Sequence, residues 1–186
     1  MRLGDARRLM GPNLLSRSPL VLAELAFEPG DTAASCIALY QAELARMRAA
    51  LGLAEAPHLV LRESAAGVAA AYEAPIDIML ASAEISEWAG ESASELSQGR
   101  DAHPLEPKRA EIAEMLRTQS SPELRALADA CAARGVMLLW DDDEVSIGCG
   151  SSSQVYPRAA LPAVDAVPWS RVGAIPIALI TGTNGK

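Results

Sequence analysis

Ile175-Pro176-Ile177-Ala178-Leu179-Ile180-Thr181-Gly182-Thr183-Asn184-Gly185-Lys186 is the stretch that decides how the chain is read. Its first half is a short apolar run of the kind that forms a central parallel strand covered on both faces. Its second half has the chemistry of a phosphate cradle. Glycines let backbone N–H groups approach an anion without a Cβ in the way, and a lysine adds a point charge. The generic phosphate loop places a glycine five residues before Gly185, then a lysine, then Ser or Thr. Ile180 holds the first of those positions, and Lys186 is the last residue of the sequence. By the generic pattern the match is partial, and a chance Gly-Asn-Gly turn after a core strand is the competing explanation.

A tighter match exists. Thr181, Gly182, Thr183, Asn184, Gly185 and Lys186 resemble, residue for residue, the T-G-T-N-G-K strand-loop of the Mur ligase family. That resemblance implies ATP and Mg²⁺ as cofactors, with Gly182, Thr183, Asn184, Gly185 and Lys186 around the phosphates. It also implies formation of an acyl phosphate from a carboxylate, which an amine then attacks to give an amide. The family's hydroxyl residue after the lysine, its magnesium-binding acid and its amine-acceptor domain have no counterpart in these residues. No catalytic residue and no metal ligand is therefore assigned, and the 186-residue chain alone is expected to be inactive.

Composition sets wider bounds. With 186 residues, half of them apolar and 22 % charged, the chain can bury a full domain core. Aromatics make up only 4 %, so core volume has to come from Leu, Ile, Val and Met, with alanines allowing close helix packing. A net charge of −8 argues against a nucleic-acid partner, which calls for a basic footprint. Cys36, Cys131 and Cys149 are far apart and form no CxxC pair, as in a reducing compartment. No signal peptide is read at the N-terminus, and no window approaches the roughly 18 to 20 apolar residues of a membrane span. A cytoplasmic location away from membranes is the expectation.

Met1 to Ser18 reads as irregular and holds the one basic cluster: Arg2, Arg7, Arg8 and Arg17 around Gly11-Pro12-Asn13. A Gly-Pro-Asn turn near the start also resembles the N-terminal domain of cyanophycin synthetases, which carry a Mur-ligase-like half. Arg7, Arg8 and Asn13 are accordingly the candidates for holding a substrate, either a small molecule or an amino acid or peptide. The competing reading is a solvated lead-in segment. There is no room here for the ATP-grasp domain of those synthetases, so synthesis of their polymer is not carried over.

Pro19 to Phe27 reads as a strand. A helix follows, capped by Asp31 or Thr32, running to about Leu51 and closed by Gly52. His58 to Glu63 and Gly67 to Glu73 read as an antiparallel hairpin, with a short helix over the alanines as the equal alternative. Pro75 opens a long helix to about Leu96 whose Glu84, Glu87, Glu91 and Glu95 share one side, read as a solvated face rather than a cation site. Shorter helices follow, one from Pro107 to about Arg117 and one capped by Ser120 or Ser121 and ended by Gly135. Val136 to Trp140 is a strand, Asp141 to Glu144 a polar turn rather than a metal loop, and Val145 to Gly148 the return strand. Gly148 to Ser153 reads either as an anion nest or as a turn into a strand at Ser153 to Tyr156.

Together these give an α/β fold, with an α+β N-terminal domain. The expected architecture is one mixed sheet of about five short strands with three to four helices, plus the start of a Mur-type ATP-binding domain. Residues 1–160 are taken as a substrate-binding or accessory domain, 161–174 as a linker and 175–186 as the start of the ATP-binding domain. The functional expectation is the N-terminal portion of an ATP-dependent carboxylate–amine ligase. The alternative is a non-catalytic binding or oligomerisation domain, and homo-oligomers are possible in either case.

Overall fold

A computed structural model of the chain describes residues 1–11, 13–53, 57–173 and 175. The apolar strand and phosphate loop expected over 176–186 lie outside the described residues, as does Pro12 of the Gly-Pro-Asn turn. The chain divides into two units, Met1–Ser120 and Ser121–Lys186. The stretch 1–160 thus spans the first unit and residues 121–160 of the second.

The first unit contains β1 (Arg2–Leu9), β2 (Leu20–Ala26), α1 (Ala33–Ala50), β3 (Val60–Ser64), β4 (Gly67–Glu73), α2 (Met79–Ser97) and α3 (Leu105–Gln119). Its four strands lie in the order β1-β2-β4-β3, and every neighbouring pair is antiparallel. The β2-α1-β3 crossover therefore leaves a gap between two parallel strands, which β4 fills from the hairpin, a split β-α-β arrangement.

The helix borders follow local chemistry. Thr32 accepts the Ser35 N–H in a capping box at the start of α1, and Gly52 past its end has φ +67°, where glycine carries no Cβ penalty. Burial then decides which side faces inward. Val21, Ala23 and Leu25 of β2, with Val68, Ala70 and Tyr72 of β4, form the helix-covered face of the sheet and are all buried. Tyr72 donates to the Ser82 carbonyl at 2.7 Å, and the Tyr40 hydroxyl meets that of Ser86 at 2.7 Å. Burial pushes the Tyr40 phenol up to about 12.

α2 is lined on several sides by small buried residues (Ala81, Ser82, Ala83, Ser86, Ala89, Gly90), which lets it pack against the sheet, α1 and α3 together. Its outer glutamates are partly engaged. Lys108 of α3 donates to Glu84 at 2.7 Å, and Arg100 pairs with Glu95. The Glu87 carboxyl is pushed up by burial and then by its neighbours Glu84 and Glu91.

The second unit holds α4 (Pro122–Ala133) and a small antiparallel sheet of β5 (Leu138–Trp140), β6 (Glu144–Ile147) and β7 (Gln154–Pro157). Ser121 caps α4 by accepting the Leu124 N–H, and Gly135 ends it at φ +64°. Leu124, Leu127, Cys131, Val145 and Ile147 are buried. The stretch from 158 to 171 carries three short 3₁₀ turns; Trp169 donates to the Val164 carbonyl at 2.8 Å, and Arg134 stacks over its ring at 4.3 Å.

Two expectations need correction. Among the described residues the strands form two wholly antiparallel sheets, of four and three strands, not one mixed sheet of about five. Met1 to Ser18 is also not irregular throughout, because Arg2–Leu9 is an edge strand. Its charged residues hide the alternation that buried strands show, and only its pairing with β2 makes it a strand. Among the described residues no helix is long and apolar enough to cross a membrane.

Candidate functional site: a groove on the open face of the first sheet

Helices cover one face of the four-stranded sheet. On the other face, Leu20, Leu22 and Ala71 are buried under Leu9 and Leu15, so the loop from β1 to β2 closes one end of it. The remainder is a groove. Its floor is Ala69 and Gly67 of β4, whose short side chains leave space between the flanking strands. Two hollows of about 360 and 400 Å³ lie along it and share Glu24, Ala69 and Arg62. The register explains that waist, because Glu24 of β2 and Arg62 of β3 both pair with Ala69. Two strand spacings put the two backbones roughly 10 Å apart.

Each side chain of the groove comes from a definable position. Arg7 sits opposite Leu22 and therefore faces the groove. It donates to Asp5 at 2.8 Å and also pairs with Glu24. Arg62 is exposed, and among the described residues it has no ion-pair partner. Asn13 borders the groove as well, but its amide is consumed locally. Its Oδ1 accepts the N–H groups of Leu15 and Ser16, at 2.8 and 3.1 Å, and its Nδ2 donates to the Gly11 carbonyl at 3.0 Å. Ser16 in turn donates to Glu73 at 2.7 Å, which holds the loop against β4.

Of the three substrate candidates, the structure places Arg7 and Asn13 along one groove and Arg8 away from it. Arg8 pairs with Val21, whose side chain lies on the helix side, and successive strand residues point to opposite faces. Asn13 shapes the rim and has little amide left to offer a ligand. Glu24 and Arg62 were not singled out from the sequence. Glu24 is the one charge in an apolar strand and Arg62 stands beside Glu63 in β3, and only the order β1-β2-β4-β3 sets Glu24 and Arg62 on opposite walls.

The other stretches considered as sites have structural roles. Asp141 accepts the N–H groups of Asp143 and Glu144, at 2.9 and 2.8 Å, so the acidic run is a turn; those bonds lower its carboxyl pKa. In the Gly148–Ser153 stretch, the N–H of Gly148 donates to Met137, those of Cys149 and Ser152 to Gly173 and Cys149, and that of Ser153 to Gly150. Four amides of the supposed nest are therefore already used. Among the described residues, no group of three or more His, Cys, Asp or Glu side chains is placed to hold a metal.

The groove offers the guanidiniums of Arg7 and Arg62, the carboxylates of Glu24 and Glu63 and an apolar floor, with Asp5 beside it on Arg7. Compared with models of known protein families and with curated proteins, the chain matches none.

Proposed function

We propose that the chain is the N-terminal portion of an ATP-dependent amide-bond-forming ligase of the Mur type, working through an acyl phosphate. The observation that carries this reading is the run Thr181–Lys186 behind an apolar stretch. Phosphates bound by such a loop gain from backbone N–H groups, and the lysine offsets charge that moves during phosphoryl transfer, with Mg²⁺ bridging the phosphates. In this reading the first unit positions a substrate in the groove beside Arg7 and Arg62.

The test is the reading frame beyond the Lys186 codon. A Thr or Ser followed by further Mur-type sequence is expected, and that longer protein should hydrolyse ATP when given a suitable acid and amine. A stop codon directly after Lys186 would overturn the reading, as would ATP hydrolysis by the 186-residue chain on its own. The groove favours the second reading in that event. Among the described residues its lining comes from the first unit, so that unit can serve as a binding module.

A further inference from the structure

We propose that the groove takes an extended peptide along β4 and that Arg62 holds a side-chain carboxylate of that peptide. This rests on the groove being the substrate-positioning surface, and it names the chemistry of what is positioned.

Length comes first. β2 lines the groove from Leu22 to Ala26, about 13 Å at strand rise, enough for about four extended residues. The floor suits a backbone, since Ala69 and Gly67 project almost nothing between the walls. Leu9, Leu15 and Leu22 give one end an apolar character, which accommodates small uncharged side chains.

Charge then fixes the class of ligand. Arg7 already faces Asp5 and Glu24, so its charge and that of Glu24 are largely spoken for. Arg62, on the opposite wall at the narrow centre, is the groove cation with no ion pair among the described residues. A guanidinium offers a carboxylate two parallel N–H donors, so an unpaired arginine at the waist selects a carboxylate over an ammonium. The chain's overall charge of −8 repels acidic ligands in general, so binding of one requires a local site such as this.

The experiment uses the 186-residue chain and two blocked pentapeptides, acetyl-Ala-Ala-Asp-Ala-Ala-amide and its Lys counterpart, followed by amide chemical-shift titration. The expected result is that the Asp peptide shifts Glu24, Arg62 and Ala69 and binds at least tenfold more tightly than the Lys peptide. Arg62→Ala should weaken it at least tenfold and Arg62→Lys less. Arg109→Ala, which removes the same charge from α3, should leave it unchanged. No shift at these residues, equal binding of the two peptides, or equal loss in Arg62→Ala and Arg109→Ala would each overturn the proposal. A stop codon after Lys186 together with Asp-peptide binding would remove the ligase reading and leave the groove assignment standing. Ligase activity in the longer protein without such binding would do the reverse.

Discussion

A Cβ placed on Gly67 would stand 2.2 Å from the carbonyl oxygen of Leu25. The obstacle is backbone, and the centre of a sheet cannot yield to it without opening the β2–β4 ladder, where Gly67 pairs with Ala26. Gly67→Ala is therefore expected to destabilise the chain by about 1–3 kcal/mol, the usual range for overpacking. Gly90→Ala is the contrast. A Cβ there meets the Leu3 Cδ1 at 2.6 Å, the end of a flexible side chain. The Leu3 Cγ and Cδ2 also lie 3.2 Å from it, so the whole side chain has to shift, and that cost offsets the gain of about 1 kcal/mol in helix propensity, leaving a net change near zero. Urea midpoints of the two variants check both statements.

Glu43 is a buried carboxylate on α1 with two partners. Arg46 donates to it at 2.8 Å and the Ser92 hydroxyl at 2.6 Å, while Ser92 also accepts the His103 N–H at 3.2 Å. The guanidinium of Arg46 lies 5.2 Å from the centre of the Trp88 ring. This network joins α1, α2 and the loop before α3. Removing Ser92 leaves the buried carboxylate short of one donor, so Ser92→Ala should cost about 1–3 kcal/mol. Hydrogen exchange should also rise at His103, whose amide loses its acceptor. Unchanged exchange there would show that the loop is held by other contacts, such as the Trp88 indole on the Pro104 carbonyl.

What the sequence made legible follows from which signals are local. Thr32 and Gly52 mark α1 because capping is a matter of a few adjacent residues, and the hairpin of β3 and β4 is short enough to read directly. β1 was not legible because Arg2, Asp5, Arg7 and Arg8 obscure its alternation and only a partner strand reveals it. The site divides the same way. Arg7, Arg8 and Asn13 stand close in sequence, yet pleating turns Arg8 to the other face and the loop consumes Asn13. Glu24 and Arg62 are 38 residues apart and meet only through the inserted strand β4.

Asp31 gives the chain an acid-sensitive contact. Its carboxylate lies 2.6 Å from the Met1 ammonium, and that hydrogen bond, followed by one involving the Glu28 backbone, lowers its pKa. A carboxyl whose pKa is lower in the folded state stabilises the fold above the unfolded value, about 4, and loses that contribution as pH falls through the lowered one. Asp31→Asn should therefore be less stable than the native chain at neutral pH. The gap should narrow as pH drops below about 4. Denaturation midpoints measured at pH 7, 4 and 3 test the sign, and a gap that widens on acidification would contradict it.

The second unit supplies a prediction in which stability and thiol chemistry report separately. Gly148 has φ +87°, and a Cβ on it would lie 2.4 Å from the Ser152 carbonyl oxygen and 2.8 Å from Val172 Cγ1. The turn it allows is closed by Cys149 donating to the Gly173 carbonyl and Gly173 to that of Ser152, both at 3.1 Å. All three cysteines are buried, and burial raises the pKa of the Cys36 and Cys131 thiols, so the native chain should react slowly with an aromatic disulfide reagent. Gly148→Ala combines a strained backbone, about 1–2 kcal/mol, with a clash against backbone that has little room to move. The damage is local to the turn. Cys149 should therefore become the fast-reacting thiol in Gly148→Ala, while Cys36 and Cys131 stay protected until urea unfolds the chain. Equal acceleration at all three thiols would mean that the substitution loosens the whole fold rather than this turn.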